Sequence, residues 1–106
     1  MTKSDKILSK IIAVLNVDAP DSEVYLYGSR ARGNSIKQSD WDLLILLNQN
    51  RVPFEYETKI MDAFYDIELE TGEVFSPLIY SKKDWDKNYR ITPLFENIKK
   101  EGVRIK

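Results

Sequence analysis

Two short stretches of this chain carry residue types whose spacing suits phosphate chemistry. They are Gly28-Ser29-Arg30-Ala31-Arg32-Gly33 and, shortly after, Asp40-Trp41-Asp42. The first follows an apolar run and turns polar. Glycine allows a close approach of backbone to a ligand, and backbone N–H groups at a strand-to-helix turn attract anions. Ser29 adds a hydroxyl donor, and Arg30 and Arg32 bring positive charge beside that cradle. A Gly-Ser pair alone says little, and either arginine equally suits a solvated loop. In the second stretch, Asp40 and Asp42 stand two apart on a predicted strand. A period of two places both carboxylates on one face, about 6–7 Å apart along the chain. Such a pair repels itself unless a cation intervenes. Mg²⁺ takes one or two protein carboxylates and completes its shell with water and substrate phosphate. A second ion close to the first would let the pair serve both the attacking and the leaving oxygen. The same Asp-x-Asp is also what an ordinary solvated strand start looks like.

Composition narrows the chemistry. The chain has no Cys and no His. Thiolate and imidazole metal sites, cysteine nucleophiles and a Ser-His-Asp triad are therefore excluded. Any metal must sit on oxygen ligands. With 106 residues, 42% hydrophobic and 31% charged, the chain fits one globular domain, read here as residues 1–106. The N-terminus shows no signal-peptide pattern, and the longest apolar run, Leu43 to Leu47, is far short of a membrane span. A cytoplasmic protein without a membrane partner is expected. Charge is unevenly spread: residues 82–106 hold eight Lys/Arg against four Asp/Glu, and residues 1–81 hold eight against thirteen. That basic end reads as a solvated helical face or as a docking surface.

The elements that must position these residues follow from periodicity. Ile7, Leu8, Ile11, Ile12 and Leu15 recur at helical spacing after a cap at Thr2 or Ser4. Residues 23–27 form a short strand ending at Gly28, and residues 29–33 a helical turn. Residues 40–47 read as a central strand buried on both faces. Pro53 opens a long helix to about Thr71, with Phe54, Ile60, Met61, Phe64, Ile67 and Leu69 on its buried stripe and Gly72 as its C-cap. Residues 73–80 form a third strand, placed at an edge or a bulge by Pro77. Ser81 caps a short helix to Asn88, and a last helix runs from Pro93 to Gly102. The fold class is a small α/β (α+β) protein, with a mixed sheet and helices packed on one face.

Gly28-Ser29, ten residues, then Asp40-x-Asp42 resembles the signature of the DNA polymerase β-type nucleotidyltransferase superfamily. More closely, GSRARG followed by SDWDLLILL resembles the minimal nucleotidyltransferases, small prokaryotic proteins often encoded beside a HEPN-domain protein. FSPLIYSKKDW and LFENIKKEGVRI are similar to that family's later strand and C-terminus. The resemblance implies a nucleotidyltransferase fold. It implies that Gly28 and Ser29 bind a triphosphate, with Arg30 or Arg32 on phosphate. Asp40 and Asp42 would be the catalytic metal ligands for Mg²⁺, as one ion or two. It further implies transfer of a nucleoside monophosphate, typically AMP from ATP, to a hydroxyl on a macromolecular acceptor, with a HEPN toxin as the partner. A nucleic-acid partner is not expected, and homo- and hetero-oligomers both stay open.

The family usually adds a third carboxylate from the strand after the long helix. Here its place falls on Val74. Glu73, one residue away, joins the catalytic set only through a bulge, because adjacent strand residues face opposite sides. Asp66, Glu68 and Glu70 read as the solvated face of the helix. The gap leaves a second reading open: a catalytically weak or inactive antitoxin subunit of the same fold. Trp41 is read as packing under the sheet, Tyr25 and Tyr27 as sheet packing, and Trp85 with Tyr89 as a helical pair or a partner-facing patch.

Overall fold

The computed structural model describes residues 2–36 and 38–106. Helix α1 spans Lys3–Asp18 and starts in a capping box. The Asp5 amide donates to Thr2 Oγ1 (3.1 Å), and the Thr2 amide donates to Asp5 Oδ2 (3.2 Å). Strand β1 is Glu23–Tyr27. A single helical turn, α2 (Ser29–Arg32), follows at once. Strand β2 is Trp41–Leu47 and helix α3 is Phe54–Thr71. Strand β3 (Phe75–Ser81), helices α4 (Lys82–Asn88) and α5 (Pro93–Glu101), and a two-residue strand β4 (Val103–Arg104) complete the order.

The sheet runs β3-β2-β1-β4. β1 is antiparallel to both β2 and β4, while β2 and β3 are parallel. A parallel pair needs a crossover, which α3 supplies. Pro77 lies on β3, an edge strand, where its missing N–H breaks no inner ladder. The mixed α/β class expected from sequence is the one observed, and Gly72 ends α3 with φ 75°.

Helices cover both faces, which corrects the expectation of one. Val24 and Leu26, with Trp41, Leu43, Ile45 and Leu47, point to α1 and α3. Leu44 and Leu46 point the other way, to Trp85 of α4 and Ile98 of α5. Trp85 and Tyr89 therefore pack, with ring centroids 5.7 Å apart, in an aromatic cluster that also holds Tyr80 and Phe95. Both short helices are capped by hydroxyls: Ser81 accepts from the Asp84 amide and Thr92 from the Phe95 amide. The predicted stripe of α3 is also corrected. Ile60, Phe64 and Ile67 are buried, but Phe54, Met61 and Leu69 are exposed.

Candidate active site

Strand parity builds the site. On β2, Trp41 enters the core beneath α1 and α3, so Asp42 and, one residue before the strand, Asp40 face the opposite side. Register then sets their neighbours. Asp42 stands between Tyr27 of β1 and Ser76 of β3. The Ser76 hydroxyl donates to Asp40 Oδ2 at 3.0 Å.

The bend after β1 closes on the same spot. Gly28 has φ 76° and ψ −159°, a conformation that side chains avoid. A Cβ there would lie 2.3 Å from Asp42 Oδ2. Glycine is thus required twice, by backbone angle and by the carboxylate pressed against it. As N-cap of α2, Gly28 offers no side chain to the first N–H groups of the turn. The Ala31 and Arg32 amides donate to the Gly28 carbonyl, which leaves those of Ser29 and Arg30, next in the chain to the glycine that meets Asp42.

Electrostatics mark the cluster as unbalanced. Burial pushes the Asp42 carboxyl up from its ordinary range, the Asp40 charge pushes it further, and Arg32 pulls it back. Tyr27 is pushed up to about 12 by burial, then by the charge of Asp42 and by Tyr80. A half-buried carboxylate, Asp42, beside an exposed one, Asp40, favours a cation between them. Ser76 and Tyr27 are the neighbours that sequence reasoning missed as site residues. Their shared face becomes visible only once the register of three strands is known.

The two arginines part company. Arg30 donates from Nε and Nη2 to the Ser39 carbonyl (3.1 and 2.8 Å), and its guanidinium lies 4.4 Å from the centre of the Trp41 ring. It also pairs with Glu73 at 3.6 Å. Arg30 therefore ties α2 to the end of the loop on the Trp41 side of the sheet. Arg32 is exposed, pairs with Glu101 at 3.0 Å and acts on Asp42. Of the two, Arg32 is the one whose charge acts on Asp42.

Glu73 does not join Asp40 and Asp42. The β2–β3 register is regular from Trp41↔Phe75 onward, and the Trp41 amide donates to the Val74 carbonyl. Without a bulge, Glu73 keeps the parity of Phe75 and stays on the opposite side. It is held by Lys3 (3.3 Å) and Arg30, with only 11% of its side chain exposed. Among the described residues, no group of three or more His, Cys, Asp or Glu is placed to hold a metal. The donor set is two carboxylates with a serine hydroxyl beside them. Such a set suits an ion that draws its remaining ligands from water and phosphate.

A family model described as polymerase beta, nucleotidyltransferase matches residues 9–105. The chain belongs to that family. The match takes in the Gly-Ser bend, both aspartates and the later strand, as the sequence resemblance implied. No curated protein matches the chain. Solved structures show the same fold. One is the crystal structure of a toxin-antitoxin with AMP-PNP, at 17% identity and TM-score 0.68, covering 93% of this chain and 72% of that one. Another is a mutant of the toxin-antitoxin MntA-HpeT, at 14% identity and TM-score 0.66, covering 93% and 71%. Among the described residues of this nucleotidyltransferase domain, no helix is long and apolar enough to cross a membrane.

Proposed function

We propose that this domain transfers a nucleoside monophosphate, AMP from ATP, to a hydroxyl group on a protein partner. The observation that carries the reading is the meeting of Gly28 with Asp42, on the same face as Asp40. A bend that presents backbone N–H groups to an anion lies against a carboxylate pair that calls for a cation. A metal-bound triphosphate satisfies both at once.

Asp40 and Asp42 would hold Mg²⁺, which supplies charge neutralisation of the phosphates when bound. Gly28, Ser29 and the first N–H groups of α2 would receive the outer phosphates, with Arg32 adding charge from the side. In the reaction, the acceptor hydroxyl loses its proton to solvent and its oxygen forms a bond to the α-phosphorus. The bond from that phosphorus to the bridging oxygen breaks, and pyrophosphate leaves with the electron pair. Ser76 orients Asp40 through its hydrogen bond. Catalysis by such a site is mostly positioning and electrostatics, so side chains that fix the carboxylates matter as much as those that touch phosphate.

Both similar structures are described as toxin-antitoxin, one with AMP-PNP. They support a toxin partner, and the resemblance read from sequence favours a HEPN-domain protein as the acceptor. A second reading has its own observation. With Glu73 held by Lys3 and Arg30, no third acid among the described residues joins Asp40 and Asp42 to assist the acceptor hydroxyl. A subunit that silences its partner by binding, with slow turnover or none, fits that gap.

Incubation with ATP labelled at the α-phosphate, Mg²⁺ and the product of the adjacent reading frame separates the two. Label on the partner that disappears with Asp42→Asn supports transfer. A stable complex without label, unchanged by Asp42→Asn, supports the binding subunit and rejects the enzyme.

A further inference from the structure

Helix α3 carries two apolar stripes, and the domain buries one. Ile60, Phe64 and Ile67 face the core. Phe54, Met61, Tyr65 and Leu69 recur at spacings of seven, four and four residues, which is one helical face. They are 79%, 42%, 58% and 69% exposed. Scattered exposed apolar residues, such as Val17, Ile36 and Ile91 here, are ordinary. Four large ones aligned along about four turns of a single helix form a patch of the kind that mediates contact. Two shallow concavities open along it. One is lined by Phe54, Glu55, Thr58, Lys59 and Asp62, and the other includes Met61, Tyr65, Glu68, Phe75 and Pro77.

Charge around the stripe selects the occupant. Helix α3 holds six acids, Glu55, Glu57, Asp62, Asp66, Glu68 and Glu70, against the single Lys59. At about 100° per residue, Glu55, Asp62 and Asp66 fall along one border of the stripe and Glu57 and Glu68 along the other. A second copy laid stripe to stripe would oppose acid to acid. An anionic membrane surface is disfavoured for the same reason. The matched occupant has apolar anchors flanked by Lys and Arg.

We infer that this stripe is the docking face for a helix of the partner protein, apolar along one side and bordered by basic residues. The inference rests on the reading that the domain has a protein partner, and it names where that partner sits. The second concavity reaches Phe75 and Pro77, which flank Ser76 on the edge strand. Ser76 in turn meets Asp40. A helix seated on the C-terminal half of the stripe therefore lies one edge strand away from the carboxylate pair, where the partner's hydroxyl is needed.

The test uses the full chain with the product of the adjacent reading frame. Met61→Asp/Tyr65→Asp removes the anchors, and Asp62→Lys/Asp66→Lys reverses one border. All four positions are exposed, so circular dichroism and the melting midpoint should match wild type. Binding should weaken about 30-fold or more in the first variant, the scale of losing interface anchors. The second should weaken it several-fold and flatten its salt dependence. Asp42→Asn should bind as wild type, and α3 should gain hydrogen-exchange protection in the complex. Wild-type binding by both stripe variants, or α3 left unprotected, overturns the docking face while the partner reading stands. Absence of any wild-type complex overturns the partner reading and this inference with it. Self-association of the chain that is abolished by Tyr65→Asp would give the stripe to a second copy, and also overturns the inference.

Discussion

The two faces of the sheet at the start of β2 hold similar charged groups to opposite ends. Beneath Trp41, Arg30 and Glu73 are neighbours, and each has further partners: the Ser39 carbonyl and the indole ring for Arg30, Lys3 for Glu73. Charge there is matched. On the other face Asp40 and Asp42 stand together, with the Asp42 carboxyl pushed up by burial and by Asp40 despite the charge of Arg32, which is itself paired with Glu101. Burial of charge is tolerated when it is paired. Where a small fold leaves it unmatched, the imbalance marks the place that a ligand completes. One face is built to hold the loop, and the other is the one to which the proposed function assigns a cation and its anion.

The sharpest break of this contrast is Asp42→Asn. Nucleotidyl transfer should fall by about 10³-fold, the scale of losing a principal electrostatic group in an active site, as read by label transfer. Next comes Gly28→Ala. Its Cβ would overlap Asp42 Oδ2 and its φ is unsuited to alanine, so transfer should fall about 10²-fold through misplacement. Denaturation midpoints should fall as well. Retained activity in that variant would mean that the bend and the acid do not act together.

Arg30→Ala belongs to the other face and should behave differently. Loss of its hydrogen bonds and of its place over Trp41 should lower stability by about 1–3 kcal/mol in urea titration. Affinity for Mg²⁺-nucleotide should change little. If affinity collapses while stability holds, Arg30 is a phosphate ligand and the division of labour is wrong. Ser76→Asp sharpens the contrast from the other direction. It would place a third carboxylate in register beside Asp42, strengthening metal binding and lowering metal-free stability.

The smallest effect concerns pH and the metal-free protein. A carboxyl pushed up by folding is more easily protonated folded than unfolded, so it costs stability at neutral pH and returns it as pH falls through the raised value. Glu23, which burial pushes up but Lys82 and Tyr25 hold below its usual range, loses stability on acidification in any variant, so the difference between proteins is what isolates Asp42. The metal-free Asp42→Asn should melt slightly above wild type at neutral pH, and that gap should close on mild acidification. A wild-type midpoint that drops on mild acidification in step with the variant would contradict the raised carboxyl.

Much of this is legible in the sequence, for local reasons. The alternation of EVYLY, the apolar run after Asp42, the cap at Ser81 and the glycine after Thr71 are signals within a few residues of what they predict. The polymerase beta family match covers the same motif that the Gly-Ser and Asp-x-Asp spacing points to. What was hidden depends on distant pairing. Ser76 entered the site through the β2–β3 register, and Glu73 left it because no bulge intervenes. Helix α3 shows the same limit: Phe54, Met61 and Leu69 have helical spacing, but which of two apolar faces meets the core is decided by α1 and the sheet, outside the helix's own sequence. Strand β4 is two residues long, too short for any periodic signal.

The most direct measurement is calorimetric titration of a non-hydrolysable ATP analogue into the purified domain, with and without Mg²⁺, for wild type and for Asp40→Asn/Asp42→Asn. Wild type with Mg²⁺ should give heat of binding, which should be lost both on chelation and in the double variant. Equal affinity in all four conditions would contradict this, because the carboxylate pair would then have no part in holding the nucleotide.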